Sequence, residues 1–330
     1  MLNRFVPVLL ASVCTAAAGL TAAAAFAQAP APDAATAVAP VTVHAAPSNT
    51  LLQKQARSFV ETYTATTPEL DQIARWHEPI CIQVSGLSAD QAALVARRIG
   101  QVAEGVGMHL LQPGCNANIE VVFTDQPQHF MDRVAASREE VLGYWHRHDG
   151  AKLKMVTHPI QAWYMTATRG RGGSNDAGVA FSVSDGGILP KAGSSAVQSH
   201  QEVVDDPENP RPTACGDAPY FTRCLSSVLT NVLVVVDTNK VKGQDVGLMS
   251  DYLSMLALAR PRSLDGCAPL PSVIDVLAPS CPGRPAPDGL TAADAAYLTS
   301  LYTTDLEADG AGQEGDIAGR MASILTKPGG

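Results

Sequence analysis

At 330 residues with 46% hydrophobic side chains, the chain is long enough to bury a substantial core. Its formal net charge is −9, the acidic residues are spread along the length and no basic run occurs. That balance excludes a surface built to grip nucleic acid or anionic lipid.

The N-terminus reads as an export signal over residues 1–27. Arg4 supplies a positive charge, an uncharged apolar run extends from Phe5 to Phe26, and Ala25-Phe26-Ala27 offers small residues at the two positions a signal peptidase inspects. Cleavage is expected after Ala27, because cutting after Ala29 would leave Pro30 at the new terminus. An uncleaved anchor is the alternative, since roughly 20 apolar residues suffice to span a bilayer, but the Ala-rich second half is weakly hydrophobic. Val13 stands where a lipoprotein signal before Cys14 needs a small residue. The next most apolar stretch, Leu225 to Val236, is interrupted by Ser226, Ser227, Thr230 and Asn231. The expected location is therefore periplasmic or secreted, with no integral membrane segment after cleavage.

Residues 28–50 are Ala/Pro-rich (Pro30, Pro32, Pro40, Pro47) and read as a flexible, partly extended linker. One α+β domain is expected over residues 51–305. Leu51 to Tyr63 and Glu69 to Trp76 are predicted helices, the second introduced by Thr67-Pro68. Pro79 to Val84 has a strand's apolar spacing. Ser88 to Val106 is helical, with Leu94, Val95, Ile99, Val102, Ala103 and Val106 recurring at three- and four-residue steps and Ser88 as N-cap. Asn118 to Thr124 reads as a strand, followed by helices over Pro127 to Ala136 and Glu139 to Trp145. Gln161 to Ala167 and Val179 to Val183 read as two strands joined by a loop, Arg169 to Gly173. Lys191 to Ala214 is a polar, Pro-rich excursion. The apolar Val228 to Val236, a helix from Asp245 to Ala259 and a short segment Ser272 to Leu277 come next. The helix Ala292 to Leu301 opens with a capping box formed by Thr291 and Asp294. Residues 306–330 read as a Gly-rich C-terminal tail with one weak helix near Ile317 to Leu325.

Of seven cysteines, Cys14 leaves with the signal. The remaining six, an even number in an exported chain, are read as disulfides. Many connectivities are open; the sequence-local pairing is Cys81–Cys115, Cys215–Cys224 and Cys267–Cys281. No C-x-x-C occurs, which argues against a cysteine-built zinc site.

Common catalytic signatures are missing: G-x-S-x-G, S-x-x-K, a Walker loop, a complete G-x-G-x-x-G and H-E-x-x-H. His146 and His148 flank Arg147 and would share a face in an extended segment, a spacing found in metal sites. The plainer reading is a polar helix end. His77 lies between Trp76 and Glu78, where ordinary packing suffices. His200 sits with Glu202, Asp205 and Asp206 in the polar excursion, and acid-rich loops are usually just solvated.

The stretch from Gly247 to Ala259 makes a helix apolar on most of its surface, with Ser250, Asp251 and Ser254 about one turn apart on one side. Short polar side chains at such positions commonly bond to the local backbone. Around this helix the chain resembles secreted bacterial zincin-like proteins, including families related to the matrixin type of metallopeptidase. In active members the helix reads H-E-x-x-H or H-E-x-x-Q, followed by leucine, a small residue and leucine. On this chain Ser250 stands at the first ligand, Asp251 at the catalytic glutamate and Ser254 at the second ligand, with Leu256, Ala257 and Leu258 as the tail. The longer metzincin pattern would put its third ligand at Arg260. Trp76 with Pro79 to Val84 is similar to the opening strand, Asn118 to Phe123 to the second strand, and Leu290-Thr291 through Leu301-Tyr302 to the closing helix.

The resemblance implies an α+β fold with a mixed sheet, a central former active-site helix and a C-terminal helical part. It also implies loss of the metal. Serine hydroxyls ionise far above neutral pH and are poor zinc ligands, and Arg260 is a cation where a ligand should be. Without bound zinc there is no water of lowered pKa for Asp251 to activate. The expectation is a metallopeptidase-like module without catalysis or cofactor, holding an unknown protein or peptide partner. The alternatives are an envelope hydrolase with an atypical site drawn from His146, His148, His200 and nearby acids, and an envelope protein whose linker lets a small domain dock elsewhere.

Overall fold

The structure, a computed structural model, describes residues 49–68, 70–142, 150–170, 225–278, 281, 284–306 and 308–327. Met1–Ala45 is set apart from the unit Ala46–Gly330. The first lies outside the described residues, and everything below concerns the second. The expected signal and most of the expected linker, Val179 to Val183, the excursion with His200, the pair His146 and His148, and the pair Cys215 and Cys224 also lie outside the described residues.

In chain order the elements are α1 (Asn49–Tyr63), β1 (Arg75–Trp76), β2 (Ile82–Ser85), α2 (Ala89–Gly105), β3 (Ile119–Thr124), α3 (Pro127–Ser137), α4 (Gly150–Leu153), β4 (Ile160–Gly170), β5 (Leu225–Asp237), α5 (Val246–Leu258), α6 (Ala292–Thr303) and α7 (Gly310–Leu325). Tight 3₁₀ turns occupy Glu139–Leu142 and Val273–Leu277. This is an α+β fold around a mixed five-stranded sheet. β2, β3 and β5 run parallel side by side, the short β1 pairs parallel with β5 at Val228 and Leu229, and β4 runs antiparallel along the other side of β5. The α+β class and the mixed sheet are those the resemblance implies.

Strand alternation explains the layering. Ile119 and Val121 of β3 and Val232, Val234 and Val236 of β5 share one face and join α1, α2, α5, α6 and α7 in the main core. Val122, Leu233 and Val235 point the other way and meet Phe130, Met131, Val134, Val141 and Trp163 in a smaller core. With both faces covered, β5 is uninterruptedly apolar from Val232 to Val236, where it runs beside β3. Gly86, at φ 82, follows β2 so closely against β3 that a Cβ there would come within 1.9 Å of the Phe123 carbonyl oxygen, so the left-handed turn and the contact both require glycine.

Several expectations need correction. Glu69 to Trp76 is not a helix. Thr67 N–H donates to the Gln72 carbonyl, Asp71 N–H donates to the Thr67 carbonyl, Asp71 sits at φ 49, and Thr66 bridges Ile73 antiparallel. Thr67-Pro68 opens a tight turn, and Arg75–Trp76 is taken by the edge of β5 because pairing there buries both residues. Arg169 and Gly170 are not loop; they extend β4 and pair with Ser226 and Leu225. β4 is partnered by β5. Of the helix expected over Glu139 to Trp145, the described part is a 3₁₀ turn. The weak helix near Ile317 is a full sixteen-residue helix, α7, whose Ile317, Ala318, Met321 and Ala322 lie in the main core.

Disulfides join Cys81 to Cys115 and Cys267 to Cys281. Their sequence separations, 34 and 14, correspond to loop-closure contributions of about 4 and about 3 kcal/mol in the chain-entropy account. Among the described residues no helix is long and apolar enough to cross a membrane.

Candidate functional site

Helix α5 starts at Asp245, whose side chain accepts from the Leu248 N–H at 2.9 Å. An N-cap acceptor satisfies an amide that has no intrahelical partner. Ten of its thirteen residues are buried, so this helix crosses the core instead of riding on it. Ser250 and Ser254 are each 0% exposed. The Ser250 hydroxyl donates to the Val246 carbonyl at 2.6 Å and the Ser254 hydroxyl to the Ser250 carbonyl at 2.7 Å. Both bonds return to the helix's own backbone one turn earlier, the local pattern open to a short polar side chain.

Asp251 faces a different task. Its Oδ1 accepts from Arg98 Nε of α2 at 2.5 Å, and its Oδ2 accepts from the Leu290 N–H at 2.9 Å. A Cβ on Gly289 would approach Oδ2 to 2.6 Å, so the loop before α6 comes this close because residue 289 has no side chain. Arg260 donates to the Thr66 carbonyl at 2.8 Å while its own carbonyl accepts from the Ala65 N–H. Each of the four positions therefore works for the fold. They do not fit a zinc ion: two buried hydroxyls already bonded, a carboxylate engaged by a guanidinium, and a cation cannot supply a ligand set.

The loop that α5 helps anchor is built from a second polar knot. Asp294 of α6 accepts from the Ser272 hydroxyl at 2.6 Å, from the Val273 N–H and from the Thr291 N–H and hydroxyl, and its own N–H donates back to Thr291 to complete the capping box. Burial raises the Asp294 carboxyl above the ordinary carboxylate range despite these donors. Asp275 completes a second capping box with Ser272, accepts from the Tyr63 hydroxyl at 2.5 Å and pairs with Arg284 at 2.8 Å.

Cys267, Asp275 and Cys281 bring two sulfurs and a carboxylate oxygen within 4.8 Å of one another, a degenerate metal-ligand cluster. Its two sulfurs are joined to each other. Zinc and similar ions are held by thiolate, which a disulfide does not provide. Among the described residues no histidine belongs to such a cluster. His77 Nδ1 lies 3.0 Å from Arg169, which also pairs with Glu78, and His158 Nε2 lies 3.1 Å from Asp265.

On the opposite face of the sheet, the Arg138 guanidinium holds the Glu120 carboxylate through two bonds of 3.0 and 3.3 Å, and both side chains are nearly solvent-free. Arg138 Nε and both amide atoms of Asn231 have no hydrogen-bond partner among the described residues. Asn231 lies where β5 shifts register against β4, between the parts of β5 that pair with β1 and with β3. The signal in the sequence was a single acid inside the apolar run from Ile119 to Phe123 and a single amide inside that from Val228 to Val236.

A groove of about 420 Å³ is lined by none of the polar residues just described. It is lined by Ile80 and Cys81 just before β2, by Ile82 and Gln83 of β2, and by Leu110, Leu111 and Pro113, with both cysteines of the Cys81–Cys115 disulfide in its wall. None of its lining residues belongs to α5. Ser250, Asp251 and Ser254 lie buried in the core and line no part of this groove. No protein-family model, no curated protein and no solved structure matches this chain.

Proposed function

We propose that this chain is an exported, disulfide-stapled module that binds or scaffolds and does not catalyse, built on a zincin-like frame whose metal positions have been absorbed into the core. One observation carries the reading. Ser250, Asp251, Ser254 and Arg260, which the resemblance sets at the positions of ligands and base, are all engaged in the chain's own hydrogen bonds. Without a Lewis acid there is no activated water to attack a peptide carbonyl. The disulfides support an oxidising compartment, since such bonds persist there and are rare in reducing ones.

Elemental analysis and a protease assay test this together. Purified mature protein is expected to hold no stoichiometric zinc and to leave casein intact with or without chelator. Stoichiometric zinc with chelator-sensitive cleavage would overturn the proposal. Export is tested separately by N-terminal sequencing of protein recovered from outside the inner membrane, which is expected to begin at Gln28.

A further inference from the structure

Strand β2 is the outermost strand of the parallel part of the sheet. Its pairing with β3 decides where each of its backbone groups points. The Ile119 N–H donates to the Cys81 carbonyl, and Ile82 to Ser85 stand beside Ile119 to Val122 in register. In a parallel ladder, alternate residues turn both N–H and C=O to the same neighbour. Cys81, Gln83 and Ser85 therefore face β3, and Ile80, Ile82 and Val84 face outward. Ile80 is already taken: its N–H donates to the His109 carbonyl and its carbonyl accepts from the Leu111 N–H. The chain then turns away at Pro113-Gly114, with Gly114 at φ 89, and Cys115 ties it back to Cys81. Ile82 and Val84 have no such outward partner among the described residues.

The groove begins at that pairing, at Ile80, Leu110 and Leu111, and continues past it to Ile82 and Gln83. Ile82 and Gln83, whose side chains point to opposite faces of the sheet, both line it, so it follows the strand's edge. No lining residue is charged, and Leu111 is 46% exposed. We propose that the edge of β2 receives an extended, uncharged segment of a partner polypeptide by strand addition, with one apolar side chain seated against Leu110, Leu111 and Pro113. The proposal rests on the reading of the chain as a binding module and names its surface. Complementarity selects this occupant. Outward N–H and C=O groups at Ile82 and Val84 ask for backbone, while the neutral walls beside them ask for an apolar side chain. A second copy of the chain fits less well: edge-to-edge pairing would centre Gln83 on Gln83 of the other copy, leave the groove unfilled and bring together two molecules of net charge −9.

The geometry supplies a selective variant. Val84→Pro removes an N–H that β3 does not use, and proline is tolerated on an edge strand when its missing donor faces outward. The probe is a capped peptide of alternating threonine and valine with a central leucine, titrated into the mature protein by calorimetry and by amide NMR. Binding is expected to shift the Ile82 and Val84 amides and to weaken about tenfold or more in Val84→Pro. Leu111→Glu, a surface change that leaves the strand intact, is expected to weaken it comparably. No binding, binding equal in wild type and both variants, shifts confined to other strands, or Val84-dependent self-association without peptide binding would each overturn the proposal. None of these outcomes would alter the zinc and casein results on which the non-catalytic reading stands.

Discussion

Asp251 uses its two carboxylate oxygens to hold parts of the chain far apart in sequence, Arg98 on α2 and the Leu290 amide before α6. Ser250 and Ser254, a turn apart on the same helix, bond only to that helix. This asymmetry gives a prediction at the scale of single residues. Asp251→Ala leaves a half-buried amide and a guanidinium without their acceptor and is expected to destabilise the fold by about 2–3 kcal/mol. Ser250→Ala and Ser254→Ala remove bonds the helix does not need and are expected to stay within about 1 kcal/mol of the parent. Urea unfolding at constant m-value reads both. If the serines cost more than the aspartate, their hydroxyls serve something other than their own helix, and the account of α5 as core fails. The sequence marks all three residues by spacing, but not their partners. Arg98 is one of two adjacent arginines in α2, and nothing local distinguishes the one that reaches α5 from Arg97.

Among the elements, those with strong periodicity and caps were legible from the sequence. α2 begins after Ser88, α5 after Asp245 and α6 after the Thr291 capping box, each close to where spacing and capping chemistry put them. The elements that escaped are set by partners distant in the chain. β1 exists because two residues find the N-terminal part of β5, and the last residues of β4 because Ser226 and Leu225 lie opposite. α7 was obscured by its four glycines, each costing up to about 1 kcal/mol in helix propensity. Packing overrides that cost: Ile317 and Met321 are wholly buried, and the Gln313 side chain accepts from the Ile73 N–H at 2.6 Å while donating to the Asp305 and Leu306 carbonyls. A chain ended at Ala308 is therefore expected to lose more than a tail. Two large apolar side chains at about 1.5–3 kcal/mol each, with the bonds of Gln313, amount to a large share of a typical domain's stability. The expected result is lost near-ultraviolet dichroism and gained dye binding; a truncated chain that still unfolds cooperatively at the parent midpoint would show α7 to be dispensable.

Over the whole molecule, the main core is pinned by phenols whose hydroxyls reach inward to hydrogen-bond partners. Tyr164 donates to the Leu256 carbonyl and Tyr302 to the Leu258 carbonyl, while Tyr63 donates to the Asp275 carboxylate and Tyr297 bonds with Thr64. Burial pushes Tyr297 up to about 12 and raises Tyr63, Tyr164, Tyr252 and Tyr302 as well. A phenol whose folded pKa lies above its unfolded value stabilises the fold fully below about pH 10. That contribution is lost as pH climbs through the folded value, because the open chain releases the proton first. Arg75 opposes the trend. Burial lowers its guanidinium to about 10 where it donates to the Leu301 and Thr304 carbonyls at the end of α6, so between about pH 10 and 12.5 its share of stability grows. Five phenols against one guanidinium leave about four protons, or about 5 kcal/mol per pH unit, against a total stability on the order of 5–15 kcal/mol. The protein is expected to unfold in one steep alkaline transition between about pH 10 and 12, with the tyrosinate absorbance of these five residues rising in step with the loss of helical dichroism. Ionisation of these phenols well before that loss would mean that their hydroxyls are open to water, and that α5, where Leu256 and Leu258 receive two of them, does not lie in a closed core.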